Sequence, residues 1–220
     1  MEHRSNYPST AEMQALDAAH NLHPFTDTGA LNKKGARIIT SANGVYIHDS
    51  EGQKILDGMA GLWCVNLGYG RKEMAEVAYR QSMELPFYNT FFQTSHPPAL
   101  LLAAKLAEVM PGDLNRVFYA GSGSEANDTN IRLVRHFWAS QGKPEKSHII
   151  ARWNGYHGST MGGGSLGGMK GIHVQGGLPI PGISHIDQPY WYGEGGDSTP
   201  EEFGIQRARA LETEIERLEV

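Results

Sequence analysis

The chain has a single cysteine, Cys64, in 220 residues. One thiol cannot close an intramolecular disulfide, so packing and hydrogen bonds have to hold the fold, and a reducing, cytoplasmic setting is expected. No apolar run approaches the ~18 residues of a membrane-spanning helix. The opening residues Met1-Glu2-His3-Arg4-Ser5-Asn6-Tyr7-Pro8 have no apolar core of the kind a secretion signal carries, so no membrane partner is expected. Lysine and arginine nowhere cluster, and the formal net charge of −5 argues against a nucleic-acid surface. The 10 histidines are scattered without metal-ligand spacing, which leaves no zinc site to expect. A P-loop is excluded because Gly-Lys-Ser/Thr is missing, and no Gly-x-Ser-x-Gly nucleophile elbow and no paired carboxylates are expected.

What remains is an ordinary globular composition, 40% hydrophobic and 20% charged, with an excess of glycine. The 27 glycines are densest at 155–177, which holds ten of them and where a closely approaching backbone or a mobile loop is the natural reading. Residues 9–21 read as a helix capped by Ser9 or Thr10, with Glu12 in its first turn. Residues 36–58 read as an antiparallel meander of strands 37–40, 45–48 and 54–57, with turns at Asn43-Gly44 and Ser50-Glu51-Gly52. A glycine-punctuated loop with Trp63 at its centre follows, then helices 71–85 and 97–109. From residue 115 the rhythm becomes strand and helix in alternation, with strands at 116–120, 148–152 and 183–186 and a one-sided helix at 124–140. That rhythm implies a mainly parallel, helix-covered sheet. Thr199-Pro200-Glu201-Glu202 opens a last helix that continues to Val220 with no following strand, the expected pattern of a fragment of a longer chain.

Two segments carry the candidate chemistry. Phe118-Tyr119-Ala120-Gly121-Ser122-Gly123-Ser124-Glu125-Ala126-Asn127 enters a helix through residues too small to block access. Unpaired N–H groups, two hydroxyls and the positive end of the helix dipole then favour a phosphate. A plain helix cap without ligand explains the same turn, and Gly121-x-Gly123-x-x-Ala126 also fits a dinucleotide fingerprint. Against the dinucleotide stands the next strand, which ends in Arg152-Trp153 rather than an acidic residue. The second segment, Asn154-Gly155-Tyr156-His157-Gly158, sets an aromatic ring and an imidazole on a glycine-flanked turn, a platform for a planar ring or simply a packed loop. Phe25, Trp63, Tyr88, Phe91 and Phe92 lie in loops, where aromatic side chains wall a pocket or join the core.

Five ordered motifs then resemble the N-terminal half of the class III aminotransferases, pyridoxal-phosphate enzymes of fold type I. They are His23-Pro24-Phe25-Thr26, Asp57-Gly58-Met59-Ala60-Gly61-Leu62-Trp63-Cys64, Pro86-Phe87-Tyr88-Asn89-Thr90-Phe91-Phe92, Gly121-Ser122-Gly123-Ser124-Glu125-Ala126-Asn127-Asp128, and Trp153-Asn154-Gly155-Tyr156-His157-Gly158. The likeness is nearest to the ω-transaminases, which use pyruvate as acceptor. The resemblance implies an α/β fold, incomplete here. Residues 1–70 would give an N-terminal helix, meander and aromatic loop of the small domain, and 71–220 the first part of the large cofactor domain. It implies pyridoxal 5'-phosphate held by Ser122, Gly123 and Ser124, with Tyr156 on the pyridine ring and His157 supporting the loop. Phe25, Trp63 and Phe91 would be substrate walls, the substrates an amine or amino acid and a keto acid, and the parent assembly a homodimer. Glu125 would cap the helix or bond behind the cofactor. The family's Schiff-base lysine matches no motif here. Met169-Lys170-Gly171 lacks the strand and acidic segment that the family uses, so no catalytic residue is assigned, and the 220 residues alone are not expected to catalyse. An inactive binding fragment and a dinucleotide-binding enzyme are the alternative functions.

Overall fold

A computed structural model describes residues 7–218. They pack as two compact units that divide between Pro97 and Pro98, beyond the 70/71 boundary drawn from the sequence. The first unit begins with helix α1 (Thr10–His20), whose capping box is complete: the Ser9 N–H donates to the Glu12 carboxylate (2.8 Å), and the Glu12 N–H to the Ser9 hydroxyl (3.3 Å). Helix α2 (Thr28–Lys34) follows, and then three strands, β1 (Ile39–Asn43), β2 (Tyr46–Asp49) and β3 (Lys54–Leu56), in the antiparallel order β1-β2-β3. The meander thus stands as the turn signals required, with its first strand two residues late. Gly44 and Gly52 take the positive φ that both turns need (58° and 85°). Buried Asp49 ties the second turn by accepting the N–H groups of Glu51 (3.1 Å) and Gln53 (2.8 Å). A short turn, α3 (Ala60–Trp63), and helix α4 (Lys72–Glu84) complete this unit.

The second unit holds all but the first residue of α5 (Pro97–Val109), then α6 (Gly123–Ser140), β4 (Ile149–Arg152), α7 (Met161–Leu166), α8 (Lys170–His173), β5 (Ile183–Ile186), α9 (Trp191–Glu194) and α10 (Pro200–Leu218). Strands β4 and β5 pair in parallel from Ile149 opposite Ile183 to Arg152 opposite Ile186, with α7 and α8 in the crossover. The glycine run is a close approach and not a loose loop. Gly162, Gly163 and Gly164 are buried in α7, and a Cβ on Gly162 would stand 2.9 Å from the Ile131 side chain of α6. Helix α10 opens with the Thr199–Glu202 capping box and buries Phe203, over which Arg207 lies at 4.7 Å on its way to Asp187 (2.7 Å) and Glu194 (3.1 Å).

One expected element is missing. Residues 116–120 run without strand pairing, because among the described residues β4 pairs only with β5 and no strand lies ready to accept this segment. The Tyr119 hydroxyl donates instead to the Ala99 carbonyl at the start of α5 (2.7 Å). Among the described residues the buried apolar side chains, Ile131, Ile172, Ile183, Ile186 and Phe203, all belong to the second unit.

Candidate functional site

Helix α6 begins at the small-residue turn. Ser122 is its N-cap, its hydroxyl oxygen accepting the Glu125 N–H (3.1 Å). Glu125 turns back, and its carboxylate takes the Gly121 N–H (2.6 Å), so it closes the turn from behind. The N–H groups of Gly123 and Ser124 are left as the first, intrahelically unmatched donors of an 18-residue helix. A Cβ on Gly123 would meet nothing within 4 Å, so the space before these donors is open. This donor set of two amides, two hydroxyls and a helix dipole suits a phosphate dianion. It does not suit a dinucleotide: the strand that such a fingerprint needs in front of the turn is not formed, and Arg152 at the end of β4 bonds the Asp187 carbonyl (2.7 Å).

The second segment folds onto the same helix end. The Asn127 side chain donates to the His157 carbonyl (2.7 Å), the Ser159 N–H donates to the Ser124 hydroxyl (3.1 Å), and Asp128 accepts from the Thr160 hydroxyl (2.7 Å) and the Gly163 N–H (3.0 Å). Gly158, at φ 131°, passes so close that a Cβ there would lie 2.8 Å from the Ser124 Cα. Tyr156 directly precedes these anchored residues and is 58% exposed. The His157 ring packs against Gly155 and remains exposed.

Behind this loop is a cluster that the sequence did not announce. His173 and His185 both donate from Nε2 to the Gly167 carbonyl (2.6 and 3.0 Å), and Trp153 stacks on His185 with ring centroids 4.6 Å apart. Burial pushes the His185 ring below the usual histidine range, against the raising effect of its carbonyl partners. The cluster closes the glycine run against β4, where Gly168 accepts from the Asn154 N–H and donates to the Gly155 carbonyl. Gly163-Gly164-Ser165-Leu166-Gly167 does carry the Gly-x-Ser-x-Gly spacing, contrary to the expectation of none. Ser165 is nevertheless fully buried inside α7, with its hydroxyl donating to Met161 and accepting from Ile180, so it is no nucleophile. Lys170 is exposed at the first position of the four-residue helix α8.

Phe25, Trp63 and Phe91 belong to the first unit and are 72%, 82% and 71% exposed. Backbone strain gathers at the loops that carry them. Phe25, Trp63, Phe92 and Gln93 hold positive φ between 50° and 67°, as does Asn154 ahead of Tyr156 (62°). Left-handed conformations of non-glycine residues persist only where surrounding bonds over-determine them, and they concentrate in functional loops.

The parallel β4–β5 pair with its α7–α8 crossover, and the 157–163 loop bonded to the start of α6, are an α/β arrangement. The class-III aminotransferase profile matches residues 29–219, and the chain belongs to that family, whose members depend on pyridoxal phosphate and have fold type I. The putrescine–pyruvate aminotransferase of Pseudomonas aeruginosa is 65% identical over 94% of this chain and 45% of that protein. A mitochondrial gamma-aminobutyrate transaminase of Oryza sativa is 36% identical over 96% of the chain and 42% of its own length. Among solved structures, the (S)-enantioselective omega-transaminase of Thermomicrobium roseum superposes with a TM-score of 0.91 at 40% identity, covering 96% of this chain and 47% of that one. The omega transaminase of Pseudomonas jessenii in complex with PMP gives 0.89 at 37% identity, over 92% and 45%. The chain thus spans somewhat less than half the length of these relatives.

Proposed function

We propose that the chain forms the phosphate and ring-side part of a pyridoxal-phosphate-dependent transaminase that moves an amino group from a primary amine or amino acid to a keto acid. Putrescine and pyruvate are the substrates to try first, on the strength of the relative at 65% identity. The observation that supports the reading is the bonding of the 157–159 segment, directly after Tyr156, to Ser124 and Asn127 at the N-terminus of α6. The cofactor supplies the electron sink that amino transfer requires.

The residues of this chain then have distinct tasks. Gly123 and Ser124 donate backbone N–H groups to the phosphate, and the Ser122 and Ser124 hydroxyls, whose oxygens already accept bonds, have their own protons to donate outward. Tyr156 lies against the ring and limits its tilt. His157 shapes the loop through its carbonyl, held by Asn127. Phe25, Trp63 and Phe91 exclude water from the amine side chain and select its size. No lysine of these 220 residues is assigned as the cofactor's covalent partner, since Lys170 sits exposed on a single helical turn. A homodimer is part of this reading, supported by the large apolar area left uncovered (below), and a cytoplasmic location by the lone exposed thiol, Cys64. No helix among the described residues is long and apolar enough to cross a membrane.

The test is alanine formation from pyruvate with putrescine as donor, in the transaminase that carries this sequence. Ser124→Ala and Tyr156→Ala are expected to cut kcat/KM by at least tenfold with cofactor at limiting concentration. Unchanged turnover in both variants would contradict the site. The 220-residue chain alone is expected to give no turnover; turnover lost only in Lys170→Ala would assign the lysine to that residue instead.

A further inference from the structure

Residues 57–70 form a closed loop whose two ends are stitched to the first hairpin turn of the meander. The Asp57 N–H donates to Val45 (2.9 Å), and Gly44 and Tyr69 exchange both backbone bonds (3.1 and 2.8 Å). Within the loop, Ala60, Gly61, Leu62 and Trp63 all hold positive φ (48°, 60°, 62° and 67°). Four such residues in a row make a left-handed helical turn, closed by the Trp63 N–H to Met59 (2.8 Å) and the Cys64 N–H to Ala60 (2.9 Å). Each of its non-glycine members is disfavoured by about 1–2 kcal/mol against the right-handed form, so the turn needs external support.

That support is one carboxylate. Asp57 accepts the Tyr69 hydroxyl (2.7 Å), the Gly61 N–H (2.8 Å) and the Met59 N–H (3.2 Å). It therefore caps the left-handed turn at its start, as an acidic N-cap does for an ordinary helix, while the phenol locks the carboxylate in place. Gly61 sits against the pair, and a Cβ there would come within 3.0 Å of the Tyr69 hydroxyl. The Trp63 side chain itself is largely exposed, so its direction is set through the backbone of the turn.

We propose that Asp57 and Tyr69 are positioning residues: their carboxylate–phenol clasp fixes the left-handed turn, and so the direction of the Trp63 indole. The clasp thereby sets the size of amine side chain that Trp63 admits. The second half of this statement rests on the transaminase reading above; the first does not.

The experiment uses near-ultraviolet circular dichroism of the protein without cofactor. The Trp63 contribution is obtained by subtracting the spectrum of Trp63→Phe from that of the parent, once in the native background and once in Tyr69→Phe. Chymotryptic cleavage after Leu62 and Trp63 is followed in parallel, with Tyr79→Phe on α4 as the control tyrosine change. The clasp predicts that Tyr69→Phe and Asp57→Ala abolish most of the Trp63 difference band and raise cleavage at least fivefold, while far-ultraviolet spectra and Tyr79→Phe stay as the parent. A preserved Trp63 band with cleavage within twofold of the parent in Tyr69→Phe overturns the proposal. In the active transaminase, Tyr69→Phe is expected to shift the kcat/KM ratio of a bulky arylalkyl amine to putrescine by at least fivefold. An unchanged ratio with a lost Trp63 band overturns the specificity half. A parent protein with no transaminase activity sinks the functional reading and leaves the clasp to be decided by the spectrum.

Discussion

Gly158 shows how one residue couples the two halves of the candidate site. Its backbone runs against Ser124 at a φ of 131°, where a side chain is both strained and sterically blocked. Gly158→Ala should therefore lift the Tyr156 loop off α6. The expected outcome is a loss of about 1–3 kcal/mol in urea unfolding, together with a fall of tenfold or more in affinity for pyridoxamine phosphate by calorimetry; a neutral variant would show that the loop is not pinned there. Single residues were legible to different degrees. Ser122, Gly123, Ser124 and Tyr156 are candidates from the sequence because small residues at a helix start and a glycine-flanked aromatic suit a phosphate and a planar ring, although a plain helix cap and a packed loop explain the same pattern. The task of Glu125 was left open in the sequence, since a carboxylate beside a phosphate site is counter-intuitive until its bond to the Gly121 N–H is seen. Asp57 gave no signal, because nothing in its neighbourhood announces a left-handed turn.

Among elements, the longer helices and the meander follow from local chemistry, namely capping boxes at Ser9 and Thr199, Asn-Gly and Glu-Gly turns, and prolines at helix ends, whereas the short helices α2, α7, α8 and α9 have no counterpart in the sequence reading. The strand expected at 116–120 did not follow, because a strand exists only where a partner edge accepts its bonds, which no local pattern encodes. The packing of α7 was equally hidden, since its glycines serve contact with α6 and not flexibility. The His173–His185 pair that closes this crossover has a pH consequence. Burial lowers the His185 pKa on folding, so its contribution to stability is complete above the ordinary histidine value of about 6.5 and is lost as pH falls below it. Thermal melts at pH 7.5 and 5.5 should show a larger acid-induced loss for the parent than for His185→Gln, which keeps a donor for the Gly167 carbonyl without titrating. Equal losses would place the acid sensitivity elsewhere. Glu214 on α10, drawn down to about 2 by Arg217 and Ser184, remains charged across that range and does not confound the comparison.

At the scale of the molecule, the accessible surface is 17055 Å² for a 24.1 kDa chain. A single compact monomer of this mass would expose about 10,000 Å², and two independent units of half the mass about 12,000 Å² together. Phe87, Phe91, Phe92, Leu101 and Phe118 are among the large apolar side chains left in water. Such an area needs cover by further protein. Because the urea dependence of unfolding scales with the area newly exposed, the chain alone should give an m-value about 30% below that of a compact protein of its mass. A full-sized m-value would show that the apolar faces close on themselves. The central claim, that the α6 N-terminus and the Tyr156 loop form a phosphate-dependent cofactor site, is tested most directly by calorimetric titration with pyridoxamine phosphate and with pyridoxamine. Neither ligand carries an aldehyde to react with surface lysines, so the phosphate is the only difference between them. The account predicts binding of the phosphorylated form at least a hundredfold tighter, with most of that margin lost in a Ser122→Ala, Ser124→Ala double variant. Equal affinity for the two ligands, or a margin untouched by the double substitution, would contradict it.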